Sequence, residues 1–166
     1  EKQIKIVPKR FEKTMTQWLE NFHDWNISRQ LVWGIRIPAW RCDNCSEWIV
    51  TEGKTPEKCP KCNSKKLTQD SDTFDTWFSS GQWPIVTNPP AYPTDFMGTY
   101  SDILKFWVSR MMMFGIYLKN DVPFRDVYVW SMVADKNGLK MSKSKGNVVD
   151  PMELVEKYGA DALRMS

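Results

Sequence analysis

Hydrophobic residues recur at helical spacing near the start of the chain. Phe11, Met15, Trp18, Leu19 and Phe22 share one face, which predicts an amphipathic helix over residues 8–22, and Pro8 suits its first turn. Residues 26–40 are shorter and broken. Ser28 is placed to cap a brief helix that Gly34 ends, and residues 35–40 then alternate as a strand, limited by Pro38. The pattern collapses over 41–68, a polar, lysine-rich stretch with too little apolar material for a core of its own. Residues 69–100 carry Pro84, Pro89, Pro90 and Pro93 among several aromatics and read as a long ordered connection, a feature that is usually functional in a compact domain. Asp102 then caps a helix running to about Leu118. Residues 127–133, Val-Tyr-Val-Trp-Ser-Met-Val, alternate as a buried strand, and a basic loop follows to Asn147. Asp150-Pro151-Met152-Glu153 combines an N-cap, a first-turn proline and an acid at the third helical position, so a helix starts there and ends at Gly159. The order helix, strand, loop, helix predicts an α/β layer fold around a parallel sheet.

Composition narrows the picture. With 166 residues, 42% apolar and 26% charged, the chain has the material for about one packed domain. Nine tryptophans are more than a core of this size calls for, so some rings are expected to line a pocket or a partner surface. The net charge of +3 permits nucleic-acid contact without arguing for it, because an electrostatic footprint needs clustering. The densest apolar run, 103–118, contains Lys105 and Arg110 and is no membrane span. With no signal-peptide pattern at the N-terminus, the expected location is the cytoplasm, with no membrane partner.

All four cysteines lie in the polar stretch, as Cys42-Asp43-Asn44-Cys45 and Cys59-Pro60-Lys61-Cys62. Two thiolates on one tight knuckle can face the same tetrahedral Zn²⁺, and a second knuckle closes the four-coordinate shell with no open position. Such a zinc site is structural, not catalytic. Four free thiols, an iron–sulfur centre and two disulfides remain as other readings of the same residues.

Between the predicted strand and the last helix, residues 136–147 hold Lys136, Lys140, Lys143 and Lys145 with two serines and two glycines. Lysines are mobile point charges suited to polyphosphate, and an anion held here could be stabilised while charge develops on a leaving group. A solvated basic loop has the same composition. The order of residues is more specific: Lys140-Met141-Ser142-Lys143-Ser144 matches the KMSKS signature of class I aminoacyl-tRNA synthetases and continues in the family's manner to Asp150-Pro151.

The resemblance extends along most of the chain. The run from Asp24-Trp25 through Arg29-Gln30 and Trp33-Gly34 to Pro38-Ala39-Trp40 resembles the segment that follows the editing insertion in the valine, isoleucine and leucine enzymes. Asp72-Thr73-Phe74-Asp75-Thr76-Trp77-Phe78-Ser79-Ser80, Phe106-Trp107 with Arg110-Met111, and Lys157-Tyr158-Gly159-Ala160 add to it. The ending Ile-Pro-Ala-Trp and Ser79, where an isoleucine enzyme typically has Asp, bring it nearest the valine branch.

The resemblance implies the second half of a Rossmann-like catalytic domain with an inserted zinc ribbon. Residues 1–40 would enter the core, 41–68 would form the ribbon, and 69–166 would complete the core with the signature loop. It implies that valine is activated with ATP and Mg²⁺ and passed to tRNA(Val). Lys140 and Lys143 would serve catalysis; Asp102, Lys140, Met141, Ser142, Lys143 and Ser144 would bind ATP; Trp33 and Trp77 would wall the amino-acid pocket, although ordinary core is the plainer reading of both rings. Without polyphosphate the lysine loop is expected to be loosely held. Alternatives are an isoleucine-type fragment and a non-catalytic zinc-ribbon module that binds RNA or a partner protein.

Three positions depart from the family pattern: Tyr100 replaces a usual glycine, Trp130-Ser131 replaces His-Gly, and Ala134 replaces an arginine. The His-x-Gly-His signature is also missing, His23 being the single histidine. The chain is therefore expected to be a fragment that is inactive alone. It would need the N-terminal half of the catalytic domain, with editing and anticodon-binding domains elsewhere.

Overall fold

In the computed structural model, which describes residues 3–87 and 89–166, the chain opens with strand β1 (Lys5–Val7) and helix α1 (Arg10–Glu20). Short strands follow: β2 (Ser28–Arg29), β3 (Ala39–Cys42), β4 (Trp48–Val50), β5 (Leu67–Gln69) and β6 (Thr73–Phe74). Two brief helices, α2 (Thr76–Ser80) and α3 (Trp83–Val86), lead to strand β7 (Thr94–Tyr100). A long helical run comes next, made of α4 (Ser101–Ile103), a π-turn at Leu104–Val108 and α5 (Ser109–Lys119). Strand β8 (Phe124–Trp130) and helices α6 (Pro151–Tyr158) and α7 (Ala160–Met165) complete the chain.

The main sheet has the order β1-β8-β7, and both pairings are parallel. β8 is its interior strand. Val127 and Val129 point into the core while Tyr128 and Trp130 point away, the period-2 alternation of a half-covered strand. The core joins Ile6, Met15, Met97, Leu104, Val108, Met111, Phe124, Val127 and Val129. Thus α1 and the long helical run cover one face of the parallel sheet. Each fully buried side chain of this size contributes about 1.5–3 kcal/mol relative to exposure. Ser109 turns its hydroxyl onto the carbonyls of Lys105 and Phe106, a local bond that competes with the regular helical pattern where the π-turn meets α5. Asn120, in the left-handed conformation at φ 54°, ends the run.

The α/β layering, the first helix and the interior strand agree with the pattern in the sequence, and α6 starts on an Asp150 cap with Met152 N–H donating to its carboxylate at 2.9 Å. Other expectations are corrected. No helix forms over 26–40: Asn26 Oδ1 accepts from both the N–H and the hydroxyl of Ser28, a side-chain turn that leads into β2, which pairs antiparallel with β6. The strand placed at 35–40 begins instead at Ala39, because Arg36 makes only an isolated bridge with Thr73. The connection over 69–100 contains β6, α2, α3 and β7; the seven-residue strand was masked by Asp95 and Gly98, although Met97 and Thr99 are buried. The interior strand runs over 124–130, not 127–133, because its partner ends at Tyr100, which pairs with Trp130. Asp102 lies inside the first helical turn and Tyr100 occupies the cap position.

Gly115 shows how tightly the helical run is seated. A Cβ there would lie 2.6 Å from the Tyr92 hydroxyl, 2.9 Å from Pro123 Cδ and 3.0 Å from the Asp121 carbonyl oxygen. Gly115→Ala gains up to about 1 kcal/mol of helix propensity, but overpacking of this kind costs about 1–3 kcal/mol. The expected outcome is net destabilisation in a denaturant melt; equal or higher stability would contradict this packing.

Candidate functional site

Residues 39–69 form a three-stranded antiparallel sheet, β4-β3-β5, and two loops beside it repeat one hydrogen-bond scheme. Cys42 N–H donates to the Glu47 carbonyl at 2.9 Å and Ser46 N–H to the Cys42 carbonyl at 2.8 Å. Cys59 N–H donates to Ser64 at 2.8 Å and Asn63 N–H to Cys59 at 2.9 Å. Ser46 and Asn63, each just after the second cysteine of its pair, both take positive φ, 58° and 57°. The two C-x-x-C segments are therefore the same knuckle built twice, and Lys61 of one knuckle bonds Glu47 of the other at 2.9 Å.

The four sulfurs lie within 4.8 Å of one another, with Cys42–Cys62 at 3.5 Å and Cys45–Cys59 at 3.6 Å. A tetrahedral ion with bonds of about 2.3 Å separates its sulfurs by roughly 3.8 Å, so the donor set and its spacing fit a four-thiolate zinc site. The crowding polarises the thiols. Cys62 is pushed down to about 6, first by the Ser64 backbone N–H and then by the Asn44 side chain. Cys45 is pushed up to about 12: the Glu47 N–H acts to lower it, but burial and the three neighbouring thiols outweigh that bond.

The lysine loop leaves the C-terminal end of β8, the edge where open parallel sheets bind ligands. Lys140 Nζ lies 3.1 Å from Asp102 Oδ2, so two residues that the resemblance assigns to the nucleotide meet beyond the ends of β8 and β7. Ser142 and Ser144 face each other at 2.8 Å. Lys143 stands exposed in a single 3₁₀ turn, and Met141 is half-buried. Tyr100 and Trp130, two of the unusual positions, are cross-strand partners on the last rung of the β7–β8 ladder. The Trp130 ring lies across Gly98, where a Cβ would come within 2.7 Å of it.

The loop is more closed than its charge predicts. Asp135 Oδ1 accepts from the N–H groups of Asn137 and Leu139 at 2.9 Å. Asn147 Nδ2 donates to Asp135 Oδ2 at 2.8 Å and Asn147 Oδ1 accepts from Ser142 N–H at 2.9 Å. These bonds hold the Asp135 carboxyl below its ordinary value, the Asn147 side chain first among them. Counting lysines missed this brace; Asp135-Lys-Asn-Gly is an Asx-turn sequence that could have revealed it. A carboxyl lowered by folding contributes stability above its unfolded pKa and loses it as pH falls through its folded value. The loop should therefore keep its form at neutral pH and open only under acid, below the usual carboxylate range. Asn147→Ala should open it at neutral pH, read as faster amide exchange at Ser142; unchanged exchange would mean that Asn147 does not brace the loop.

The two predicted pocket tryptophans differ in setting. Trp33 is 88% exposed. Trp77 is half-buried, stacked on Phe106 with ring centroids 5.7 Å apart, and the Arg110 guanidinium lies 4.8 Å from its centre. Asp75, only 8% exposed, caps α2 by accepting Trp77 N–H at 2.8 Å. Its other oxygen accepts the Trp25 indole N–H at 3.1 Å and pairs with Arg29. Burial acts to raise the Asp75 carboxyl, but the Trp77 and Trp25 bonds and the two arginines hold it below its ordinary value.

Over residues 1–166 the sequence matches the class I tRNA synthetases for isoleucine, leucine, methionine and valine. The chain belongs to that family. It is 50% identical over 173 residues to a valine–tRNA ligase from Desulfotalea psychrophila, covering 99% of this chain and 19% of that one. It is 52% identical over 169 residues to a valine–tRNA ligase from Clostridium acetobutylicum, covering 96% and 19%. This synthetase chain thus spans about a fifth of the length of the curated relatives it matches. Among solved structures it is similar to the LeuRS of Agrobacterium radiobacter K84 agnB2, crystallised as a ternary complex with tRNA and LeuAMS. The TM-score is 0.66 at 25% identity, over 92% of this chain and 26% of that one. No helix among the described residues is long and apolar enough to cross a membrane.

Proposed function

We propose that this chain is the second half of the catalytic domain of a valine-specific tRNA synthetase. In this reading residues 1–40 enter the catalytic core, 41–68 are a ribbon held by one Zn²⁺ on Cys42, Cys45, Cys59 and Cys62, and 69–166 complete the core with the KMSKS loop. The observation that carries the valine assignment is the identity at about half of the aligned positions with valine–tRNA ligases, over 96–99% of this chain. The meeting of Asp102 with Lys140 supports a nucleotide site at the end of the parallel sheet.

The reaction has two steps. A carboxylate oxygen of valine attacks the α-phosphorus of ATP, which enters with Mg²⁺, and the bond to pyrophosphate breaks. A hydroxyl of the terminal adenosine of tRNA(Val) then attacks the valyl carbonyl, and AMP leaves. Lys140 and Lys143 offset the charge that builds on the departing pyrophosphate. Asp102, Met141, Ser142 and Ser144 complete the nucleotide contacts of this chain, and Trp33 and Trp77 wall the amino-acid pocket. The zinc keeps the ribbon folded and takes no part in the chemistry. Partners are the N-terminal half of the catalytic domain and the editing and anticodon-binding domains, and the protein works in the cytoplasm.

The test is ATP–pyrophosphate exchange after supplying the purified N-terminal half. Valine-dependent exchange is expected, with none from the chain alone. Exchange that follows isoleucine instead would move the assignment to the isoleucine enzyme. RNA binding with a steep salt dependence, unaffected by ATP, would favour a non-catalytic module.

A further inference from the structure

If Trp77 walls the amino-acid pocket, something must hold it at a fixed tilt, because a five-residue helix has little rigidity of its own. We propose that Arg110, together with the Asp75 carboxylate, is a positioning residue for the amino-acid pocket: it links the short helix α2 to the rigid helix α5 and thereby sets the fit of the aliphatic side chain of the substrate. The proposal rests on the reading of Trp77 given above and extends it to groups that do not themselves touch the substrate.

Arg110 sits on α5 between Ser109 and Met111, both buried, so its backbone is packed against the main sheet through Met111. Its guanidinium lies over two indoles at once, 3.9 Å from the centre of Trp25 and 4.8 Å from that of Trp77. A planar, weakly hydrated cation stacks on such faces in a way an ammonium does not. Asp75 closes the arrangement from the other side. One carboxylate oxygen fixes the Trp77 backbone N–H and the other fixes the Trp25 indole and Arg29, and its charge draws Arg110 toward it. Burial lowers the Arg110 guanidinium from its ordinary value; Asp75 opposes that, and the like charge of Arg29 adds to it. Phe106 and Arg110 thus meet the Trp77 ring, Asp75 holds its backbone, and Trp25 and Arg29 brace Asp75 from a third segment.

The test uses the chain reconstituted with the N-terminal half and follows KM and kcat separately for valine and for ATP. A cation–π contact that is partly desolvated is worth enough for Arg110→Met to raise the valine KM by about tenfold. The KM for ATP and kcat should stay near the parent values, because a loss confined to amino-acid binding leaves the chemical step alone. Arg110→Lys, which keeps the charge but not the plane, should recover part of the loss, and Asp75→Asn should raise the valine KM in the same direction. An unchanged valine KM in a folded Arg110→Met enzyme overturns the proposal. If Arg110→Met does not fold, Asp75→Asn and Arg110→Lys decide it by the same KM comparison, and no rise in either overturns it. Trp77→Ala is the control for the underlying reading. If it leaves the valine KM unchanged, the pocket assignment itself fails; if it raises that KM while the Arg110 and Asp75 variants do not, only the positioning role fails.

Discussion

Stripping the metal from the ribbon with a strong chelator, or changing Cys59 to Ser, is expected to unfold residues 39–69 while leaving the parallel sheet in place. The reason lies in how little else holds that segment. Its strands have three or four residues each, and of their large apolar side chains Trp40 is buried while Trp48 and Val50 are exposed, so hydrophobic burial there rests mainly on one ring. Cys42 and Cys59 are the fully buried residues at its centre, and a shell of four thiolates folds such a segment because the unfolded chain has no formed site. Losing one ligand should weaken binding by more than the roughly 10- to 100-fold that loss of an outer hydrogen-bond partner causes. The parallel sheet should survive because its core draws on Ile6, Met97, Val127 and Val129, none of them in the ribbon. Elemental analysis should give one zinc per folded chain, and amide exchange should show protection lost in β3, β4 and β5 on chelation. A folded sample with well under one metal per chain, or ribbon protection that survives chelation, would end the zinc assignment.

The elements that were legible in the sequence are those whose signal is local and chemical. The Asp150-Pro151 start, the periodicity of α1 and the paired cysteines each report on a few neighbouring residues, and the structure shows them accordingly. What stayed hidden depends on distant partners. β7 is a strand because β8 lies beside it in parallel register, while its own residues, with Asp95 and Gly98, carry a weak strand pattern. Ser28 has the chemistry of a helix cap, but Asn26 two residues earlier diverts it into a turn. In the candidate site, the lysines were visible as charge, whereas the Asp135–Asn147 brace and the grouping of Trp25, Asp75 and Arg110 arise only when segments far apart in sequence meet.

Lys143→Ala is expected to slow adenylation by roughly 100- to 1000-fold, the range seen when one group that stabilises developing charge is removed from a reacting centre. Two lysines of the loop stand differently. Lys140 is already engaged with Asp102 at 3.1 Å, so reaching a phosphate requires it to leave that carboxylate. Lys143 lies three residues on, exposed, in the turn that starts at Ser142, and that turn is anchored at both ends of the brace: Asn147 accepts from Ser142 N–H and donates to Asp135. An anchored turn presents the Lys143 ammonium at low entropic cost, so its charge acts where pyrophosphate departs. Because that charge develops mainly in the transition state, the loss should fall on the rate of adenylate formation and not on valine binding. Lys145, nearer the start of α6, should matter less. The measurement is single-turnover adenylation by the reconstituted enzyme, with Lys140→Ala and Lys145→Ala in parallel. Loss of rate in Lys143→Ala with an unchanged valine KM supports the role. A rate constant within about threefold of the parent, far short of what removal of a charge-stabilising group causes, would mean that the loop keeps the form of a phosphate-handling segment in this chain without its function.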